Sequence, residues 1–525
     1  MKYIELFAGC GGLSLGLQSV GFSLQMANEL SPMAAESYAF NFFGENLHEL
    51  SQNNLTPTKT LWLASNFPPE RLNRRLRENP YKFPSPEQAF SDLSSSGNNL
   101  DGALIVGSII ELNKWLENHK SATNRIKTCF GKGDVDLISG GPPCQSFSMA
   151  GIRQKDNEKN LLPWEFAKFV ATIKPKFVLL ENVSGILRPF KGENGTKYFA
   201  WFEVAKVFSK IGYIPLCLHV NAKFSDVPQN RPRFILIGIQ EKIFDKLKSN
   251  LSDKEKFLIE NSKNFFEKSK LNKAVDIDDL NCLDLTETKN FELVKSTFLE
   301  SLINSKNLTT VYQAIDALKL HSRSSDSYGE KLNKIFSKLQ KNSLPLKNHE
   351  LRRNSELVRR RFKIYQIIAN KDNEVKNDVL KVLKGRQSDV REHTWLELKN
   401  TSFLFKDGTL GRLKSKVDLL NFLAEHTTKK QIQKALNPYE PAPAALSIPD
   451  DACHYDPSHL RTLTVREMAR IQSFPDRFIF RSKVTTGGTN RRHEVPQYTQ
   501  VGNAVPPLLG RALGIAIKKL LAKLE

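Results

Sequence analysis

MKYIELFAGCGG, residues 1–12, runs from a short apolar stretch straight into glycines. Residues 3–7 have strand character, Gly9, Gly11 and Gly12 make a turn, and Leu13, Leu15, Leu17 and Val20 can cover one side of a following helix. A second strand over 23–27 ends at Glu29. Strand, glycine turn, helix and strand make a βαβ start, which commits the chain to a parallel pairing. Further along, apolar runs that end in turn signals recur at 102–106, 135–139, 177–180 and 234–239, with helical stretches at 164–173 and 199–211 between some of them. The pattern predicts an α/β fold whose largely parallel sheet is covered on both faces.

The texture divides the 525 residues into three parts. Residues 1–240 carry the alternating strands and helices, interrupted at about 44–100 by an Asn-, Ser- and Pro-rich insertion that includes RLNRRLR at 71–77. Residues 241–457 are Lys-, Asn- and Ser-rich, mostly helical in pattern, and meet no glycine until Gly329. A Pro-Ala linker at 438–449 leads to 458–525, which returns to the style of the first part and belongs with it.

Charge and cysteine usage narrow the class. The net charge of +21 suggests a polyanionic partner, and 16 Lys and Arg against 6 Asp and Glu at 331–390 place about half of the excess in 60 residues. Six cysteines stand singly, without zinc-ligand spacing, so a reduced intracellular protein with no metal is expected. No export signal and no run of about 18 apolar residues is present, so no membrane is expected and the charge points to nucleic acid.

Four stretches carry chemistry. The glycine turn brings main chain close to a ligand, and Glu29 is placed to accept hydrogen bonds from ribose hydroxyls, although a tight βα turn would need glycine for its own geometry. In SGGPPCQSFS, 139–148, two glycines and two prolines present Cys144 at the carboxyl end of a strand, the setting of a nucleophile. Glu181, in ENV at 181–183, puts a carboxylate at the same sheet edge, suited to proton donation if burial raises its pKa. QNRPR at 229–233 supplies the guanidinium forks of Arg231 and Arg233.

FAGCGG, GGPPCQSFS, ENV and QNRPR in that order, followed by RTLTVREMARIQSFPD at 461–476 and QVGNAVPP at 500–507, closely resemble the DNA cytosine-C5 methyltransferase family of bacterial restriction-modification type. The resemblance implies a Rossmann-like, S-adenosylmethionine-dependent methyltransferase domain and a second, mostly helical target-recognition domain. It assigns Phe7, Gly9, Cys10, Gly12, Glu29, Pro143, Leu161, Asn503 and Val505 to the cofactor. Where the family usually has Asp before Ile for the adenine amine, this chain has Ser108-Ile109. Cys144 would add to carbon 6 of a flipped-out cytosine, Glu181 would hold ring nitrogen 3, Arg233 would bind the carbonyl oxygen and Arg231 would support the site.

The segment between QNRPR and RTLTVRE is the recognition region by the same resemblance. Arg352/Arg353 and Arg359/Arg360 are one heptad apart, so on a helix they would share a face and track phosphates. Duplex DNA is the expected partner, with a cognate restriction endonuclease acting on the same site and a monomeric, cytoplasmic, nucleoid-associated protein. An RNA cytosine methyltransferase on the same scaffold and a non-catalytic DNA-binding protein are the competing readings.

Overall fold

The computed structural model describes residues 1–143, 161–191, 197–303, 307–319, 322, 324–337, 339, 346–430, 433–444 and 452–525. Nine strands form one sheet: β1 (Lys2–Leu6), β2 (Ser23–Glu29), β3 (Thr60–Trp62), β4 (Ala103–Val106), β5 (Leu137–Gly140), β6 (Phe177–Val183), β7 (Tyr213–Asn221), β8 (Pro232–Gln240) and β9 (Cys282–Leu285). Their order is β9-β7-β8-β6-β5-β1-β2-β4-β3. All neighbours pair parallel except β8, which runs antiparallel to both β6 and β7.

That reversal positions the site. The carboxyl ends of the parallel strands lie along one edge, and only a strand running the other way can bring its first residues to that edge. Arg233, second residue of β8, pairs with Val183, the last of β6.

Alternation along the strands builds a core on each face. Phe177 and Leu179 join one cluster with Leu13, Leu17, Leu509 and Leu513, whereas Val178 and Leu180 join the other with Phe166, Phe169 and Phe208. The first face is thus covered by α1 (Gly12–Gln18) and the C-terminal α12 (Pro507–Ala522), and the second by α3 (Ile109–Asn118), α4 (Leu162–Ile173) and α5 (Ala200–Lys210). A smaller cluster under α2 (Pro32–Phe43) takes in Trp62, Leu72 and Leu76 from the 44–100 stretch. That stretch, read from the sequence as an insertion, also supplies the edge strand β3.

The sheet also passes the boundary drawn at 241, since β9 lies beyond it. The first core runs on through Phe336 and Leu339. The Lys- and Asn-rich texture belongs to the solvent faces of helices such as α6 (Asp253–Lys270), whose Ile259, Phe265 and Phe266 are buried. A separate apolar cluster forms only later, from α7 (Glu356–Ala369), α8 (Asn373–Leu383), α9 (Glu392–Leu398) and α10 (Lys416–Glu425), with Phe403 of a short hairpin. Among the described residues, no helix is long and apolar enough to cross a membrane.

Candidate active site

The glycine turn after β1 is closed by its own main chain, Ala8 N donating to Asn28 O and Gly11 N to Ala8 O, both at 2.9 Å. Phe7 takes a left-handed φ of 55°, an unfavourable conformation for an aromatic residue, and its ring stacks on Phe166 at 6.5 Å. Glu29, at the end of β2, accepts from Gly9 N and Ser31 N, each at 2.8 Å. Burial raises its pKa, and the two main-chain donors pull in the opposite direction. The carboxylate is therefore fixed beside the turn.

Ser108 follows β4, next to Glu29: Gly107 N donates to Glu29 O at 3.0 Å. Its Oγ accepts from Ile110 N at 3.2 Å and caps α3, while Ile109 is buried. The cap uses one lone pair of the hydroxyl and leaves the other. Cys10 departs from expectation. Its thiol is buried against Gln500 O at 3.6 Å, and burial raises its pKa far above the thiol range, so its side chain is core and only its main chain is left for a ligand at the turn.

The last motif crosses the first. A Cβ on Gly12 would lie 2.2 Å from Val505 O and 3.3 Å from Ala504 Cβ, so glycine is required by this approach. Asn503 is exposed and Val505 half-buried on the same stretch. Arg231, 3% exposed, ties it down by donating from Nη2 to Gly502 O at 2.8 Å and to Ala504 O at 3.0 Å. Burial and the neighbouring Arg233 hold the Arg231 pKa well below the guanidinium norm, with Glu181 acting against them. Arg231 is thus a positioning residue.

Glu181 and Arg233 meet as a diagonal pair on one face of β6 and β8, Arg233 Nε standing 2.7 Å from Glu181 Oε1. Burial lowers the Arg233 pKa and Glu181 opposes the shift. Gly141 makes room for this carboxylate, because a Cβ there would sit 2.9 Å from Glu181 Oε2. Asn182 Nδ2 donates to Pro142 O at 3.0 Å and anchors the start of the same loop. Cys144 lies outside the described residues. Pro143 before it is exposed, and Leu161 is 50% exposed. Asn182 went unassigned in the sequence, where its place beside Glu181 was the available signal.

The arginine face predicted at 352–360 does not form. Helix α7 begins at Glu356, so Arg352 and Arg353 precede it, and Arg359 pairs with Glu356 at 2.8 Å. Arg360 and Arg361 are buried; Arg361 donates from Nε to His426 O and from Nη2 to Thr427 O, both at 2.9 Å. The apolar face of α7, with Phe362, Ile364, Tyr365 and Ile368, carries these two arginines into the core.

A family model described as C-5 cytosine-specific DNA methylase matches residues 1–65 and 111–519. The Type II methyltransferase M.DdeI of Desulfomicrobium norvegicum is 26% identical over 514 residues, covering 98% of this chain and 87% of that protein. The Type II methyltransferase M1.HphI of Haemophilus parahaemolyticus is 24% identical over 523 residues, covering 99% of this chain and 87% of its own length.

Proposed function

The chain belongs to the C-5 cytosine-specific DNA methylase family, and from that membership we propose that it methylates carbon 5 of a cytosine flipped out of duplex DNA, as the modification partner of a restriction endonuclease. The observation that carries this reading is the Glu181–Arg233 pair at 2.7 Å, bordered by Gly141 where the loop to Cys144 begins. A carboxylate and a guanidinium at one sheet edge, with a thiol next in sequence after Pro143, suit attack on a pyrimidine ring.

S-adenosylmethionine, when bound, supplies a methyl group on a sulfonium. The glycine turn, Glu29 and Ser108 fit an adenosine: a fixed carboxylate for the ribose hydroxyls and a spare hydroxyl lone pair for the adenine amine. Phe7, Pro143, Leu161, Asn503 and Val505 would complete that pocket.

Cys144 as thiolate forms a bond from Sγ to carbon 6, and the displaced electron pair makes carbon 5 nucleophilic. Glu181 would hold the proton at ring nitrogen 3 and Arg233 the carbonyl oxygen, stabilising the charge that develops there. Once carbon 5 carries the methyl group its proton would pass to solvent, the electron pair of that C–H bond would restore the ring double bond, and the C–S bond would break to return Cys144 as thiolate. The α7–α10 cluster, which lies in sequence between β8 and α11 (Val465–Ile471), would be the target-recognition domain.

The test is incubation with methyl-labelled S-adenosylmethionine and duplex DNA, RNA or neither. Label in DNA that disappears with Cys144→Ala, together with a covalent complex on a 5-fluorocytosine duplex, is expected. Label confined to RNA, or none, would overturn the reading.

A further inference from the structure

A pocket of about 450 Å³ opens in the separate α7–α10 cluster, between α10 and the turn at 405–407 that joins the hairpin strands Phe403–Leu404 and Leu410–Gly411. It is lined by Arg360, Phe405, Asp418, Asn421, Phe422 and Glu425, among others. Arg360 is only 8% exposed and is held by a chain of hydrogen bonds. His426 Nδ1 lies 2.6 Å from Phe422 O, so the ring donates there, and its Nε2 accepts from Arg360 Nε at 3.2 Å. Burial lowers the His426 pKa, which keeps Nε2 an acceptor. Arg360 Nη1 and Nη2 make no hydrogen bond or ion pair among the described residues, and they form the oriented edge left for the pocket. The Asp418 carboxylate likewise makes no hydrogen bond or ion pair among the described residues, while Asp418 N caps onto Ser415 Oγ.

These groups select a ligand class. An arginine edge recognises two adjacent acceptors, a carboxylate recognises N–H donors, and Phe405 and Phe422, at 5.9 Å from each other, offer apolar faces. Guanine combines the O6 and N7 acceptors with the N1 and N2 donors on a flat ring. Lys406, which also lines the pocket, pairs with Glu425 at 3.3 Å, so Asp407 and Asp418 are the carboxylates left to disfavour a phosphate. Because Arg360 is buried, a base still stacked in a duplex cannot reach its guanidinium edge. Exposed Arg412 and Lys414, which make no ion pair among the described residues, stand beside the pocket to hold flanking phosphates.

We infer that this pocket binds an unstacked guanine of the DNA and that Arg360 is a specificity-determining residue. The inference rests on the DNA-modifying reading, but its test does not involve methyl transfer. Fluorescence anisotropy of the full chain, without cofactor, would be measured on oligothymidylates carrying one central dG, dA, dC, hypoxanthine or 7-deazaguanine. The dG strand is expected to bind about tenfold more tightly than dA or dC, and hypoxanthine and 7-deazaguanine should each lose about fivefold or more. Arg360→Lys and Asp418→Asn should erase the preference. Equal binding of dG and dA by the unaltered chain would overturn the inference even if DNA methylation is observed. Tighter binding of guanosine monophosphate than of the dG strand would overturn the assignment to DNA.

Discussion

Ser108 occupies a position where a side chain must satisfy two demands, capping α3 through Ile110 N and facing the strand end beside Glu29. Aspartate caps as well as serine and gains from the positive end of the helix, while offering more acceptor capacity. Ser108→Asp is expected to bind S-adenosylmethionine several-fold more tightly, with unfolding free energy changed by less than about 0.5 kcal/mol. Calorimetric titration and urea denaturation would check both halves, and an unchanged affinity would mean that residue 108 does not reach the adenine. Cys10 shows the limit of reading a motif residue by residue: its place in FAGCGG suggested a ligand, but its thiol packs against Gln500 O, 490 positions away. No local pattern announces such a partner.

At the scale of elements, α1 and α12 cross at a backbone-to-backbone contact. A Cβ on Gly16 would lie 2.5 Å from Arg511 N and 2.6 Å from Pro507 O, and main chain cannot step aside as a side chain can. Gly16→Ala should therefore cost about 2–4 kcal/mol of stability and also weaken cofactor binding, because the Asn503–Val505 stretch leads directly into α12. Urea unfolding and a cofactor titration would follow the two losses; a stable variant with normal affinity would refute the coupling. The elements around the site were legible because glycines, prolines and caps mark their ends. Thr464 and Glu467, three residues apart, form a capping box, with Thr464 N to Glu467 Oε2 at 2.8 Å and Glu467 N to Thr464 Oγ1 at 3.1 Å. Strands β7 and β9 were not legible. Pro215 interrupts β7, which is tolerated because β9 begins pairing only at Cys217, and β9 itself is a four-residue edge strand.

Over the whole molecule, the charge excess is less free than the sequence suggests. Within 331–390, Lys331 pairs with Asp226, Arg359 with Glu356 and Lys371 with Glu397, while Arg360 and Arg361 are buried. Duplex binding should consequently depend on Arg412 and Lys414: replacing both with alanine should reduce the slope of log affinity against log salt by about 2, and Arg359→Ala by much less. Equal effects of the two changes in a salt series would return the phosphate contacts to α7. The α7–α10 cluster meets the first core at a buried polar joint whose partners set its behaviour with pH. Gln366 of α7 donates to His454 O at 2.8 Å and Asp456 O at 2.9 Å, and Arg461 holds Glu467 of α11 through two bonds of 2.8 and 2.7 Å. His454 Nδ1 accepts from Asp456 N at 3.0 Å, so the neutral ring carries its proton on Nε2, 3.7 Å from Glu467 Oε1. Burial lowers the His454 pKa from 6.5 to about 4, more than the nearby Glu467 raises it. Burial pushes Glu467 up, but the bonds from Arg461 outweigh it and hold the carboxyl at about 2 instead of 4.5. Both folded-state values are depressed, so both contributions are complete above the unfolded values and disappear as pH falls. His454 loses its share between pH 6.5 and 4, on the order of 3 kcal/mol, before Glu467 begins to lose its own below pH 4.5. In urea unfolding at pH 7.5, 6, 5 and 4, His454→Gln should start less stable and decline less steeply than the unaltered chain. Parallel curves would mean that His454 is not held neutral in the joint.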